Sequence, residues 1–377
     1  MVEKETSGKA ISEKVNSENV IDAWGSNEIS ADEKLFKNFG LKKIFPHESF
    51  DNYLFDRGII IAHRDLEPIA ESISKKRPFI QLTGIASSGE LHFGHKLDID
   101  LFKFFASKKS HSFFALSDID AYVSRDDSKV PSMAKAKEYA CSIAGDLLAM
   151  GLREEQIYVQ SRKEQRYYEF AFEVSKKMTE GTFEAIYGHT NLGKVAANLL
   201  QYSDILHQQL PEFNGPMNSV TGIGLDQDPH ARAVRDIAKR LPYGLKPPGF
   251  VYFKHQRGLS EGKKMSASEP DTAIFLADSP ADVKKKINKS FSGGRNTLEE
   301  HRKLGAIVEN DRAFEMLFFH NPNTKEVEKI RSEYASGKML SGEMKQIAIE
   351  FVNGFLKEHQ EKKKQFAEKA RKIVYGK

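Results

Sequence analysis

The chain has 377 residues, 40% of them hydrophobic and 29% charged, with a formal net charge of +4. That length exceeds one ordinary domain of roughly 100–200 residues, and no apolar run reaches the ~18 residues of a membrane span. The polar N-terminus lacks the apolar stretch of a secretory signal, and the single cysteine, Cys141, excludes an intrachain disulfide and a cysteine-built zinc site, which together predict a reducing, cytoplasmic setting.

Residues 1–20 are polar and aperiodic and read as a disordered tail. Residues 21–76 read as an N-terminal extension of short helices and loops around the apolar pieces LFKNFGL and RGIIIAH. PFIQLT (78–83) then reads as a buried strand, followed by the Gly/Ser-rich turn GIASSGELHFGH and a helix from Lys96 to Ala106. HSFFALSD (111–118), IYVQ (157–160), NSVTGIG (218–224) and GFVYFKH (249–255) read as further strands. Between them lie a helix capped by Ser132 and helical stretches near 164–178 and 191–209. Strands alternating with helices predict a parallel sheet with crossover helices over 77–279. After Ser279-Pro280 the strand pattern stops. The capping box Thr297–Glu300 and the segments 310–320, 324–336 and 341–374 predict an all-α unit over 280–377. Its basic tail, with Lys362, Lys363 and Lys364, fits either a phosphate-facing surface or a solvated helix face.

Two motifs carry chemistry. In the first, His92-Phe93-Gly94-His95 opens a helix directly after a strand and a glycine-rich turn. Gly84, Gly89 and Gly94 let backbone approach phosphates closely. The helix N-terminus offers free N–H groups and a positive dipole to an anion, and the two imidazoles, three residues apart, can donate to phosphate oxygens as charge develops. In the second, Gly262-Lys263-Lys264-Met265-Ser266-Ala267-Ser268, Lys264 is a mobile point charge suited to a polyphosphate. Both motifs are expected at the carboxyl edge of the sheet, where open α/β folds bind ligands. The same edge should receive Asp118 and Asp120, and also Gly222-Ile-Gly224-Leu-Asp226-Gln227-Asp228, in which Asp226 can accept ribose hydroxyls. The bland reading of Asp118 and Asp120 is helix or turn capping.

The pair resembles the HIGH and KMSKS signatures of class I aminoacyl-tRNA synthetases, and KMSAS with Ala267 resembles the variant of archaeal and eukaryotic tryptophanyl enzymes. KMSASEPDTAIFLADSP, FSGGRNTLEEHRKLGA, RGIIIAHRD, AWGS and LDQDPHARAVRDIA are similar to that subgroup, over roughly residues 21–377. TGIASSGELHFGH and YSDIL look more like the bacterial tryptophanyl enzymes. Leu82 stands where the archaeal–eukaryotic pattern has tyrosine, and Ala115 where it has glutamine, so the indole contacts of that subgroup are missing. The resemblance implies a Rossmann-like catalytic domain with a helical insertion and dimer region near 125–215, then a helical anticodon-binding domain. It implies catalytic roles for His92, His95, Lys264, Ser266 and Ser268. ATP contacts would come from Gly84, Ser88, His92, Gly94, His95, Gly224, Asp226, Lys264, Met265 and Ser266. Tryptophan contacts would come from Leu82, Asp120, Asp204 and Gln227, with Asp204 of YSDIL accepting the indole N–H and Gln227 contacting the ammonium. The implied partners are tRNA(Trp), L-tryptophan, ATP with its own Mg²⁺, and a second copy of the chain, with no protein-held metal and no membrane. The rivals are a tyrosyl enzyme, a simple nucleotidylyltransferase and a non-catalytic RNA-binding paralogue. The helical C-terminal segment disfavours the nucleotidylyltransferase, and the intact His92, His95 and Lys264 disfavour the paralogue.

Overall fold

The computed structural model describes residue 36 and residues 39–44, 50–188, 191–260, 265 and 269–376. The tail 1–20, the AWGS segment, Lys264, Ser266 and Ser268 lie outside the described residues.

Among the described residues, seven strands form one sheet in the order β1-β2-β7-β6-β3-β4-β5. Five are the expected ones: β3 (Phe79–Ala86), β4 (Ser110–Ser117), β5 (Ile157–Val159), β6 (Ser219–Gly224) and β7 (Gly249–Phe253), all mutually parallel. The crossovers between them are helices, as a parallel sheet requires. The other two come from the extension read as helices and loops. RGIIIAH supplies β2 (Ile60–Arg64), antiparallel to β7, and Lys42–Lys43 forms β1 beside it. Ile59-Ile60-Ile61-Ala62 is a short continuous apolar run, and periodicity does not distinguish a buried strand from a buried helix in such a run.

The sheet buries both faces. In β7 the alternation is plain: Phe250 and Tyr252 join the core with Leu82, Tyr202 and Leu206, while Val251 and Phe253 join the core with Phe79, Leu97 and Phe105. Two short helices, α1 (Tyr53–Asp56) and α2 (Glu67–Ser74), lie on either side of β2 in the chain. The helices on these faces include α3 (Phe93–Ala106), which starts three residues earlier than Lys96, and α5 (Met133–Ala149), whose N-cap Ser132 accepts from Lys135 N–H. They also include α4 (Asp118–Ser124), α6 (Gln165–Ser175), α8 (Leu192–His207) and α9 (Asp228–Arg240), with the short α7 (Glu180–Tyr187) between α6 and α8 in the chain.

Beyond residue 280 the described elements are helical: α10 (Pro280–Lys289), α11 (Leu298–Leu304), α12 (Arg312–His320), α13 (Thr324–Ala335), α14 (Ser341–Gln365) and α15 (Ala367–Tyr375). Ser279 and Thr297 both close capping boxes. The run 341–374 is broken at Phe366, which ends α14 and precedes α15. These helices share a core with the α/β part. Phe93, Phe114, Leu147 and Val159 lie in one buried cluster with Phe314, Leu317, Val352 and Val374. Lys363 turns inward, donating to buried Asp146 (2.9 Å), which His359 also meets (2.8 Å), whereas Lys362 pairs with Glu358 on the surface.

Candidate active site at the carboxyl edge

The carboxyl ends of β3, β4 and β6 lead to the three acidic or imidazole-bearing turns expected there. β3 runs into the glycine-rich turn and then α3. His92 is the N-cap of α3, and its Nδ1 accepts from Gly94 N–H at 3.1 Å, while His95 Nδ1 accepts from His92 N–H at 3.1 Å. The rings stack with centroids 3.9 Å apart. An imidazole that accepts at Nδ1 carries its proton on Nε2 when neutral. Both rings are neutral, because burial pulls His95 down to about 4 and, with the neighbouring His95, pulls His92 well below the usual histidine value. The site thus presents two stacked Nε2–H donors.

The helix terminus behaves differently from expectation. Its first N–H groups are already used: Phe93 N–H by Ile274 O (3.0 Å), Gly94 N–H by His92 Nδ1, and His95 N–H by His92 O (2.9 Å). The donors offered to an anion are therefore the imidazoles and not the amides. Gly94 is required by this packing, since a Cβ there would lie 2.9 Å from His92 Cε1.

The second motif reaches the same place. Met265, the described residue of KMSAS, is buried, and its Cβ lies 3.9 Å from where a Cβ on Gly94 would be. The chain that follows is stitched to the first motif: Leu276 N–H donates to Leu91 O (2.9 Å), and His92 pairs with Phe275 in an antiparallel bridge. In the turn between, Ser88 N–H donates to Ala86 O (2.8 Å), and next to it the Ser87 hydroxyl is buried with no partner.

At the end of β6, Asp226 accepts from Gln227 Nε2 (3.1 Å) and pairs with His255 Nε2 (2.7 Å). A Cβ on Gly224 would come within 2.6 Å of Asp226 Oδ1, so that position must stay bare. Two residues here escaped the sequence reading. His255 follows β7, where it looked like strand. Asp98 stands one turn after His95, and burial together with the Asp226 charge raises its carboxyl to about 8; its spacing from His95 was the available signal. Asp228, the last acid of the motif, is structural. Fully buried, it receives Arg64 through Nε (2.8 Å) and the terminal nitrogen (2.9 Å), Arg232 (3.2 Å) and Tyr252 OH (2.6 Å).

The tryptophan-side residues separate into two kinds. Leu82 is core, packed with Tyr202 and Ile205. Gly84 lies in register with Ala115, and a Cβ on Gly84 would sit 2.9 Å from the Ala115 methyl, so the close approach of Gly84 is to a neighbouring strand. Asp118 is a turn cap, accepting from Ser161 N–H (3.0 Å), Ser161 Oγ and Ile119 N–H. Asp120 and Asp204 lie close enough that the Asp120 charge raises the Asp204 carboxyl. Asp204 is buried and accepts from Tyr158 OH (2.7 Å), Tyr167 OH (2.8 Å) and Gln160 Nε2 (2.7 Å). Burial raises its carboxyl to about 6, with these three hydrogen bonds opposing. Tyr158, Gln160 and Tyr167 were missed, and no local pattern marks them. Among the described residues, no group of three or more His, Cys, Asp or Glu is placed to hold a metal ion, and no helix is long and apolar enough to cross a membrane.

The family described as tRNA synthetases class I (W and Y) matches residues 74–357. The tryptophan–tRNA ligase of Methanocaldococcus jannaschii is 38% identical over 367 residues, spanning 94% of this chain and 98% of the relative. That of Aeropyrum pernix is 36% identical, spanning 94% and 96%. The crystal structure of tryptophanyl-tRNA synthetase from Aeropyrum pernix superposes with a TM-score of 0.83, covering 94% of this chain and 98% of that one. Matched along most of its length, and with the histidine turn and Met265 meeting at the carboxyl edge of a mostly parallel sheet, this chain is a member of the class I tRNA synthetases of the tryptophan and tyrosine family.

Proposed function

We propose that the chain is a tryptophan–tRNA ligase, which activates L-tryptophan with ATP and transfers it to the 3′ end of tRNA(Trp). The observation that carries the chemistry is the stacked His92–His95 pair with Met265 of the lysine-bearing loop against Gly94. In the first step the tryptophan carboxylate attacks the α-phosphorus of ATP. Tryptophanyl-adenylate forms and pyrophosphate leaves. In the second step a ribose hydroxyl of the tRNA 3′ end displaces AMP. Phosphoryl-type transfer asks the protein mainly for positioning and charge stabilisation. Two neutral Nε2–H donors can follow phosphate oxygens as charge develops without adding a fixed cation. Lys264, Ser266 and Ser268 would take the pyrophosphate end, Asp226 the ribose and Gln227 the ammonium. Mg²⁺ arrives with ATP, since such ions are held largely by substrate phosphates and water.

Asp204 supplies the proposed tryptophan selectivity: a buried carboxylate with one acceptor position left for the indole N–H. The helices after residue 280 would carry the anticodon-binding surface. Two copies would pair through 125–215, where Phe172 and Leu192 are 73% and 86% exposed, and the enzyme would work in the cytoplasm. The test is ATP–pyrophosphate exchange with each amino acid in turn. Exchange should depend on tryptophan; exchange driven by tyrosine instead, or none with any amino acid, would refute the proposal.

A further inference from the structure

Gln160 opens the turn after β5 with its side chain fully buried. Its Nε2 donates to Asp204 Oδ2 at 2.7 Å, and its Oε1 accepts from the backbone N–H of Asp120 at 3.1 Å. A flipped amide would set its oxygen against a carboxylate and its NH₂ against an N–H, so one orientation satisfies both ends. Tyr168 OH, donating to Gln160 O at 2.6 Å, fixes the backbone of the same residue.

A carboxylate has about four lone-pair positions. Tyr158 and Tyr167 occupy the two on Asp204 Oδ1, and Gln160 occupies one on Oδ2. One position on Oδ2 remains for a substrate N–H, and the oxygen that offers it is the one Gln160 holds. We propose that Gln160 is a specificity-positioning residue: it aims the free lone pair of Asp204 at the substrate N–H and ties that carboxylate to the helix carrying Asp120. This rests on the proposed role of Asp204 as the indole acceptor.

Removing the Gln160 donor has two consequences. The carboxylate keeps both tyrosines on Oδ1 but can swing about that oxygen. It also loses a hydrogen bond that favours its ionised form, so its proton is held more tightly. Around it are Tyr158 from β5, Lys163 and Glu164 from the turn that follows, Tyr167 and Tyr168 from α6, Asp120 from α4, and His207 on its own helix. Lys163 lies 5.0 Å and 5.8 Å from the Tyr158 and Tyr167 ring centroids. Asp204 accepts an N–H much more strongly when ionised. Tryptophan KM should therefore rise as pH falls through about 6 in the native chain. The rise should begin at higher pH in a Gln160 variant.

The experiment compares the native chain with Gln160→Met, nearly isosteric, Gln160→Asn, which keeps the amide but is one methylene short, and Asp204→Ala. ATP–pyrophosphate exchange is followed from about pH 5.5 to about pH 8.5. The substrates are tryptophan and 3-benzothienylalanine, which carries sulfur in place of the indole N–H. Both Gln160 variants should shift the acid limb of tryptophan KM upward by about one pH unit. They should also lower the preference for tryptophan over the sulfur analogue about tenfold or more, with ATP KM unchanged. If both keep the native limb and preference while Asp204→Ala loses the preference, the role of Gln160 is overturned and that of Asp204 survives. If Asp204→Ala keeps the preference, the Asp204 reading itself fails, and the proposal with it.

Discussion

His92 and His95 spend their Nδ1 lone pairs on backbone N–H groups, which sets their tautomer and the direction of their donors, while burial favours the neutral form. The pattern was legible because it is local: a strand, a glycine turn and a helix start lie within about fifteen residues of sequence. What could not be read was that the helix amides are consumed, because one acceptor, Ile274 O, comes from the distant segment behind the lysine loop. Gly94→Ala probes this scale. A Cβ at 2.9 Å from His92 Cε1 must push the ring aside. A displacement near an ångström at a reacting centre costs about 100-fold in rate. Exchange should fall about that much with tryptophan KM nearly unchanged, and a rate within a few-fold of native would show that the ring position does not matter. Asp204 was legible as buried from its apolar neighbours, but its three donors stand 46, 44 and 37 residues away, beyond any periodicity.

Among the elements, β2 and α9 explain why two sequence stretches, RGIIIAHRD and LDQDPHARAVRDIA, belong together. Arg64 and Asp65 of the first meet Asp228 and Arg235 of the second, so ion pairs clamp the antiparallel edge onto the helix behind the Asp226 turn. The strand was hidden in the sequence because its register and direction come from pairing with β7, almost two hundred residues on. Arg64→Ala leaves Asp228 buried with Arg232 as its remaining cation. Breaking a buried pair from one side costs about 3–5 kcal/mol. Chemical denaturation should show a loss of that order, with the unfolding slope unchanged; a loss below about 1 kcal/mol would mean that Arg232 and Tyr252 suffice. The five parallel strands and most helices were legible from apolar runs and caps, with Ser132, Ser279 and Thr297 capping as read. The short helix Glu180–Tyr187 was missed between two stronger patterns.

At the scale of the whole molecule, element type changes at 280 but the core does not stop there. Phe93 of the histidine turn meets His320 and Phe355 edge to face at 5.0 and 5.4 Å, and Lys96 lies 5.2 Å from the Phe355 ring centroid. Composition could show where strands end, but only packing shows which surfaces they leave to be covered. A fragment of residues 77–279 should therefore not fold alone: it should expose the shared core, aggregate on expression and lack cooperative melting, whereas a sharp unfolding transition in that fragment would contradict the shared core. The 25-residue helix α14 runs through this interface as a single rod. Near its start Lys345 is bonded to Asn288 O and Ser290 O, and further along Gln360 holds Leu276 O and Asp278 O, on the strand-like segment that pairs with the histidine turn. Those two anchor points stand about 22 Å apart along the axis. The rod thus has the geometry of a lever arm: a tilt of only two or three degrees about Lys345 would carry Gln360, and the segment it holds, by about an ångström.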